Sequence, residues 1–516
     1  MSESDWALTF KEFRIESKKG QVKPLLHIPS LNFKRGEITS IIGESGAGKS
    51  LTGLSIGGFL PKGLHASGEI VVNSKAGQSI NVLKAGTSEL RELRVFQLGF
   101  VMQQPLSAFN PVLRIGKQLT ERLQKFQPNR SIQLKTLDEL LKSTGFKDPT
   151  RILNNYPHQL SGGQLQRVAL IMAVSTEPDI LVADEPTSAL DSKTGTEVLD
   201  LMTELCRRKN CNLLLITHDL QIAREKTDRI VVLKEGTVRF DGSPAEAIHT
   251  EDEYTTSLFK KYDFFYHSTI LQPGLIQNES KTPASAAGQV KLEQLSLQYR
   301  QTGILSTSGG FLALKNIDLD FKKGCKTGIW GPTGSGKSSL AKILCGLESP
   351  TSGRLLFGEN PFIKGLRAPD FPNIQMIFQD AVSSFNPARS IKTQLSGIYR
   401  GSGKDEEERI WALMEKCGLE EELINRLPSQ LSGGQIQRFA IIRALLTEPE
   451  GIVFDEFVTT LDIHWKIEVI KLLQTLVLNK GINCWVVSHE RKVLDHLCDE
   501  IIRIENGQVA GREITG

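Results

Sequence analysis

Five short motifs occur twice in this 516-residue chain, in the same order. The first set is GESGAGKS at 43–50, Gln103, LSGGQ at 160–164, Asp184-Glu185 behind the apolar run ILVA, and His218. The second is GPTGSGKS at 331–338, Gln379, LSGGQ at 431–435, Asp455-Glu456 behind GIVF, and His489. Ser432 follows Ser161 by 271 positions, and the same interval separates Asp455 from Asp184 and His489 from His218. A period that long duplicates a whole domain, because solenoid repeats run to about 20–50 residues. Single hydrophobic cores stop growing near roughly 250–300 residues, so two domains are expected, over 1–267 and 289–516. The stretch 268–288, rich in Pro, Ser, Gly and Ala, reads as the linker.

Each motif carries a chemical expectation. GxxxxGK[ST] after a strand is a phosphate cradle: glycines let the backbone approach, and amides at the helix start donate to phosphate. Gly43, Gly46 and Gly48, and Gly331, Gly334 and Gly336, are the glycines of the two cradles. Lys49 and Lys337 are expected on the β- and γ-phosphates, and Ser50 and Ser338 on Mg²⁺. Asp184 and Asp455 end apolar strands and are assigned to Mg²⁺. Glu185 and Glu456 come next, placed to orient the attacking water or take its proton. Gln103 and Gln379 hold equivalent places in the two halves, where a neutral amide can reach Mg²⁺ or the water. His218 and His489 each follow a short apolar run and are expected at the γ-phosphate. Ser161, Gly162, Gly163 and Gln164, and their counterparts Ser432, Gly433, Gly434 and Gln435, open helices whose N-termini are potential anion sites.

The coarse pattern is α/β. Strands at 38–42 and 326–330 enter the glycine loops, apolar runs precede both acidic pairs and both histidines, and helical patterns intervene. A largely parallel sheet follows, with ligands at the carboxyl ends of its strands. Residues between Gln103 and Leu160 read as a helical insert carrying LSGGQ. The net charge of +3, with 23% charged residues, argues against a basic nucleic-acid stripe. No run reaches the ~18–20 apolar residues of a membrane span, and the charged start lacks the apolar core of a signal peptide. The expected place is the cytoplasm. Seven cysteines without a CxxC pair read as ordinary thiols, not as a metal site.

Together these motifs resemble the nucleotide-binding subunits of ABC transporters, over almost the whole chain. The resemblance implies two P-loop NTPase domains of ABC type, ATP and Mg²⁺ as cofactors, and an intrachain head-to-tail arrangement. Each ATP would lie between the phosphate loop of one head and LSGGQ of the other, with Asp191 and Asp462 linking the sites. It further implies two transmembrane permease subunits, an extracytoplasmic solute-binding protein acting through them, and a peripheral place on the cytoplasmic face of the membrane. QPLSAFNP at 104–111, DAVSSFNP at 380–387 and the tail HTEDEYTTSLF at 249–259 resemble the dipeptide, oligopeptide and nickel importers. Substrates in that group are peptides, nickel or cobalt, and metal-chelating small molecules. The rings and turns at Phe109-Asn110-Pro111 and Phe385-Asn386-Pro387 are expected to meet the membrane partners. The alternative, a soluble twin ATPase acting on ribosomes or nucleic acid, calls for a long charged helical hairpin between the heads, which 268–288 does not supply.

Two departures from the family pattern stand out. The ring expected under adenine is Tyr299 in the second half, but Ser17 holds the aligned place in the first, with Phe13 or Trp6 as candidate substitutes from nearby. DEPTSALD at 184–191 becomes DEFVTTLD at 455–462, so Phe457 replaces a proline and puts the geometry of that loop in question.

Overall fold

The computed structural model describes residues 6–17, 24–44, 46–187, 190, 192–267, 289–299, 310–361, 372–399, 403–458, 461, 463–476 and 482–515. The expected linker, Asp191 and Asp462 lie outside the described residues. Contacts divide the chain into two compact units, Met1–Asp263 and Phe264–Gly516.

Unit 1 is built on one sheet. Its strands are β1 (Trp6–Ser17), β2 (Leu26–Lys34), β3 (Ile38–Ile42), β4 (Leu64–Asn73), β5 (Ser79–Asn81), β6 (Leu98–Val101), β7 (Ile180–Asp184), β8 (Asn212–Ile216), β9 (Arg229–Lys234) and β10 (Thr237–Gly242). They lie in the order β5-β4-β1-β2-β10-β9-β3-β8-β7-β6. From β9 to β6 all pairings are parallel, and β5, β4, β1 and β2 form an antiparallel block. The sequence explains the split. ITSII of β3 and NLLLI of β8 are buried throughout, as a parallel strand covered on both faces requires. LHIPSLNFK of β2 alternates with one face exposed, which suits an antiparallel sheet with one wet side.

Unit 2 repeats the plan with β11 (Val290–Tyr299), β12 (Phe311–Phe321), β13 (Lys326–Trp330), β14 (Ser352–Phe357), β15 (Asn360–Pro361), β16 (Ile374–Ile377), β17 (Gly451–Asp455), β18 (Asn483–Val487), β19 (Glu500–Glu505) and β20 (Gln508–Ile514). Among the described residues its two blocks are separate sheets, β12-β11-β14-β15 and β16-β17-β18-β13-β19-β20. The junction is nonetheless the same: Lys315 N–H donates to the Gly507 carbonyl at 2.8 Å, as His27 N–H does to Gly236 at 2.6 Å.

The helical insert is present in both units. In unit 1, helices Ile115–Gln124, Arg130–Ser143 and Pro149–Asn154 precede the LSGGQ helix Gly162–Val174. They share a small core of their own, with Leu119, Leu123, Leu137, Leu141 and Leu165. Asn129 caps the second of them by accepting from the Ser131 and Ile132 amides. No described helix is long and apolar enough to cross a membrane.

A bulge in the antiparallel block recurs in both units. Glu12 and Gln294 take φ 46°, in the left-handed region, where the register of β1 and β11 against β4 and β14 shifts. Each faces a glycine, Gly68 or Gly353, with φ 90° and 84°. A Cβ on Gly353 would lie 2.3 Å from the Gln294 carbonyl oxygen. Gly353→Ala therefore combines left-handed strain with overpacking against backbone, about 2–5 kcal/mol in all. Scanning calorimetry should show the unit 2 transition falling by roughly 4–20 °C. Gly511→Ala, where a Cβ meets nothing within 4 Å, should leave it in place.

Candidate active sites

Each phosphate loop joins a central parallel strand to a helix, Lys49–Ile56 in unit 1 and Lys337–Leu344 in unit 2. Gly43 and Gly331 are forced: a Cβ would lie 2.2 Å from the Leu233 carbonyl oxygen and 2.1 Å from that of Ile504. Gly46 and Gly334 are different, since a Cβ there meets no protein atom within 4 Å. It would project into the open mouth of the loop, the space a phosphate needs. Gly48 and Gly336, with φ 99° and 107°, start the helices. Lys49 Nζ donates to the Gly43 and Glu44 carbonyls at 2.8 and 3.0 Å, and Lys337 Nζ to those of Gly331 and Pro332, both at 2.9 Å. Both ammonium groups are thereby folded over their loops.

Asp184 and Asp455 end β7 and β17, one strand removed from the loop strand. Ser338 Oγ donates to Asp455 Oδ1 at 3.2 Å. In unit 1, Asp184 Oδ1 is buried without a hydrogen-bond partner. Burial is the largest influence on both carboxyls and pushes them above the usual aspartate range, against the opposing pull of Ser50 or Ser338 and of the loop lysine. A hard divalent cation suits such a site. Its donors would be a serine hydroxyl and a carboxylate oxygen, the ligand class Mg²⁺ prefers, and its charge would offset the burial.

Glu185 and Glu456 were expected singly; the structure makes each the centre of a cluster. Both adopt the left-handed region, φ 45° and 46°. Their amides donate to the neighbouring strand, at the Ile216 carbonyl (2.8 Å) and the Val487 carbonyl (2.9 Å). Strain of this kind in a non-glycine residue costs about 1–3 kcal/mol and concentrates at functional sites. It turns each carboxylate toward two partners. Gln103 Nε2 donates to Glu185 at 3.0 Å, and His218 Nδ1 lies 3.0 Å from its other oxygen. In unit 2, Gln379 Nε2 is 3.4 Å and His489 Nδ1 3.4 Å from Glu456. Burial pushes both glutamates up. The histidine hydrogen bond and charge, with the loop lysine, outweigh it, and both end below the usual glutamate range.

The serines and glutamines of LSGGQ form reciprocal caps. Gln164 N–H donates to Ser161 Oγ at 3.3 Å and Ser161 N–H to Gln164 Oε1 at 3.1 Å; Ser432 and Gln435 repeat this at 3.3 and 2.9 Å. Gln164 and Gln435, expected at the cofactor, are thus engaged by their own helix ends. Gly162 and Gly433 are exposed, while Gly163 is packed near Thr194 and Gly434 near the Trp465 ring.

Tyr299 stands at the end of β11, its hydroxyl 3.3 Å from Ser339 Oγ, next to Ser338. Neither candidate substitute in unit 1 reaches an equivalent place. Phe13 is fully buried in the core, 5.4 Å from the Phe10 ring, and Trp6 begins β1, which Ser17 ends. Phe457 is held by packing, while residues 459, 460 and 462 of its loop lie outside the described residues. Its ring is buried 5.0 Å from that of Phe454, and Glu456 keeps the backbone of Glu185. The expectation for Phe109 and Phe385 needs correction. They are 6% and 4% exposed, and the Arg443 guanidinium lies 4.2 Å over the Phe385 ring. These rings anchor the turn; the exposed neighbours are Leu106, Val112 and Val382.

Two residues were missed in the sequence. Trp330 ends the strand entering the second loop, and its indole N–H donates to the His489 carbonyl at 3.2 Å. A tryptophan before the first loop glycine, where the first copy has Ile42, was the available signal. Tyr254 comes from the helix Glu253–His267, and its hydroxyl accepts from the Glu44 amide at 3.4 Å.

Since His218 is what holds Glu185 ionised against burial, His218→Gln should let its pKa rise. The acid limb of the unit 1 hydrolysis profile, followed in a Lys337→Ala chain, should move to higher pH. An unmoved limb would show that the histidine does not set the charge of the glutamate.

A family model described as ABC transporter matches residues 26–188 and 314–459. The chain is 32% identical over 501 residues to the uncharacterized ABC transporter ATP-binding protein YejF of Escherichia coli K12, covering 95% of this chain and 92% of that one. It is 29% identical over 518 residues to the glutathione import ATP-binding protein GsiA of Salmonella typhimurium, covering 95% and 83%. A solved dimeric structure of the ATP-binding cassette MJ0796 in a post-hydrolysis state matches at 30% identity, over 44% of this chain and 99% of that one, with a TM-score of 0.40. Both halves are matched by the family model, and the similarity to YejF runs through nearly all of both proteins: the chain belongs to the ABC transporter family, as an ATPase with two nucleotide-binding domains.

Proposed function

We propose that this chain energises an importer, hydrolysing ATP at both heads to drive uptake of a small peptide through two separate membrane permeases supplied by an extracytoplasmic solute-binding protein. The observation that carries hydrolysis is the repeated Gln–Glu–His cluster, with its left-handed glutamate at φ 45° and 46°. The importer reading rests on the similarity to the glutathione import protein GsiA, since glutathione is a tripeptide. It also rests on the FNP turns shared with the peptide and nickel group. Nickel, cobalt and metallophores have support from those turns only.

In this reading each phosphate loop binds one ATP, and the exposed leading residues of each SGGQ helix start are free to meet an anion. Lys49 and Lys337 bind the β- and γ-phosphates. Ser50, Asp184 and Gln103, and Ser338, Asp455 and Gln379, would hold Mg²⁺, which neutralises phosphate charge when bound. Glu185 and Glu456 orient the attacking water and accept its proton, and His218 and His489 hold them ionised toward the γ-phosphate. Tyr299 offers its ring to the base at the second head. Leu106 and Val112, 56% and 74% exposed, and Val382 follow the sensing glutamines in sequence and would give the permease loops an apolar contact. The proposed location is the cytoplasmic membrane face.

A positioned carboxylate base is worth about 10²–10⁴ in rate. Glu185→Gln and Glu456→Gln should each slow their own site by that factor. The double variant should abolish both phosphate release and peptide uptake in proteoliposomes holding the permeases. A Glu456→Gln transporter with unchanged ATPase activity would contradict hydrolysis at the second site.

A further inference from the structure

The Gly43–Glu44 peptide group is gripped at both ends. Its carbonyl accepts from Lys49 Nζ at 2.8 Å, and its N–H donates to the Tyr254 hydroxyl at 3.4 Å. Tyr254 is itself well placed. Asp252 Oδ1 accepts from the Thr255 amide and hydroxyl, both at 2.8 Å, and fixes the first turn of the helix Glu253–His267. Lys234 Nζ lies 4.5 Å from the Tyr254 ring centroid, within cation–π range. Further along, Asp263 pairs with Arg224 at 2.7 Å and Tyr262 donates to Gln221 at 3.3 Å. Both partners belong to the helix Leu220–Lys226, which begins two residues after His218. One helix is thus fastened to the phosphate loop and to the shoulder of the histidine.

The second head cannot make the loop contact. Its corresponding residue is Pro332, which has no N–H, but whose ring fixes φ near −65°. Lys337 meets the Gly331 and Pro332 carbonyls as Lys49 meets those of Gly43 and Glu44. The two loops reach one arrangement by different means.

We propose that Tyr254 is a positioning residue of the first ATP site. Its hydroxyl sets the Gly43–Glu44 peptide, and through the carbonyl of that peptide it aims Lys49, a task the Pro332 ring performs in the second head. The proposal rests on the assignment of the first loop as an ATP site. One neutral hydrogen bond contributes about 0.5–1.5 kcal/mol, or roughly 2- to 12-fold in affinity.

The test uses the full chain carrying Lys337→Ala, so that the first site is read by calorimetric titration with MgATP. Tyr254→Phe keeps the ring on Lys234 and removes the acceptor; it should weaken binding by about 2- to 12-fold. Glu44→Pro installs the second head's solution, and in that background Tyr254→Phe should have no effect, an insensitivity that a general loosening of the helix would not produce. Equal weakening in both backgrounds overturns the proposal. If Lys49→Ala abolishes binding and Tyr254→Phe leaves it unchanged, the positioning role falls and the site assignment stands. ATP binding that survives Lys49→Ala overturns both.

Discussion

A half-buried glutamate held in its ionised form governs the architecture of each head. Glu185 and Glu456 lie where partial burial opposes a carboxylate, and a histidine and a lysine reverse that preference while a glutamine amide meets a carboxylate oxygen. The arrangement works only if the carboxylate leaves the line of its strand. The left-handed backbone achieves this, and the glutamate amide still donates a hydrogen bond to the adjacent strand. That adjacent strand carries the histidine beyond its end, so strand order, backbone strain and protonation state are parts of one solution. The aspartate one residue earlier has the opposite fate: burial wins, its carboxyl is pushed up, and in unit 1 an oxygen is left unpartnered. In the proposed function a divalent cation and the γ-phosphate would complete what the protein leaves unbalanced.

The heads are copies that have kept the chemistry and changed its supports. Pro186 gives way to Phe457, held against Phe454, and Ile42 to Trp330, which reaches the His489 carbonyl. Glu44, with an amide that Tyr254 can hold, stands opposite Pro332. The glutamate contacts are 3.0 Å in the first head and 3.4 Å in the second. Tyr299, beside Ser339, has Ser17 as its counterpart. Such differences predict heads alike in reaction and unlike in affinity.

Much of this was legible in the sequence because the motifs combine local geometry with chemistry. The loop strands, the acidic strand ends and the helical insert lie where the patterns of glycine, apolar runs and helical spacing put them. Contacts remote in sequence were not legible. Nothing near Glu185 says that Gln103 and His218 will converge on it, since three separate strands bring them together. Phe109 and Phe385 looked like a presented surface because FNP is a turn; tertiary packing draws the rings inward. Gln164 and Gln435 looked like ligands, although Ser-x-x-Gln at a helix start is also a capping box, the form seen here. Tyr254 stood in a tail read only for its resemblance, and its hydroxyl meets a loop 210 residues away.

The central claim, that both heads are working ATP sites, is tested most directly by counting nucleotides. A chain carrying Glu185→Gln and Glu456→Gln, saturated with MgATP and separated from free nucleotide, should retain two ATP molecules per chain, unhydrolysed. Retention of one would contradict the account, and the lysine replacements Lys49→Ala and Lys337→Ala would then show which head had lost the ability to bind.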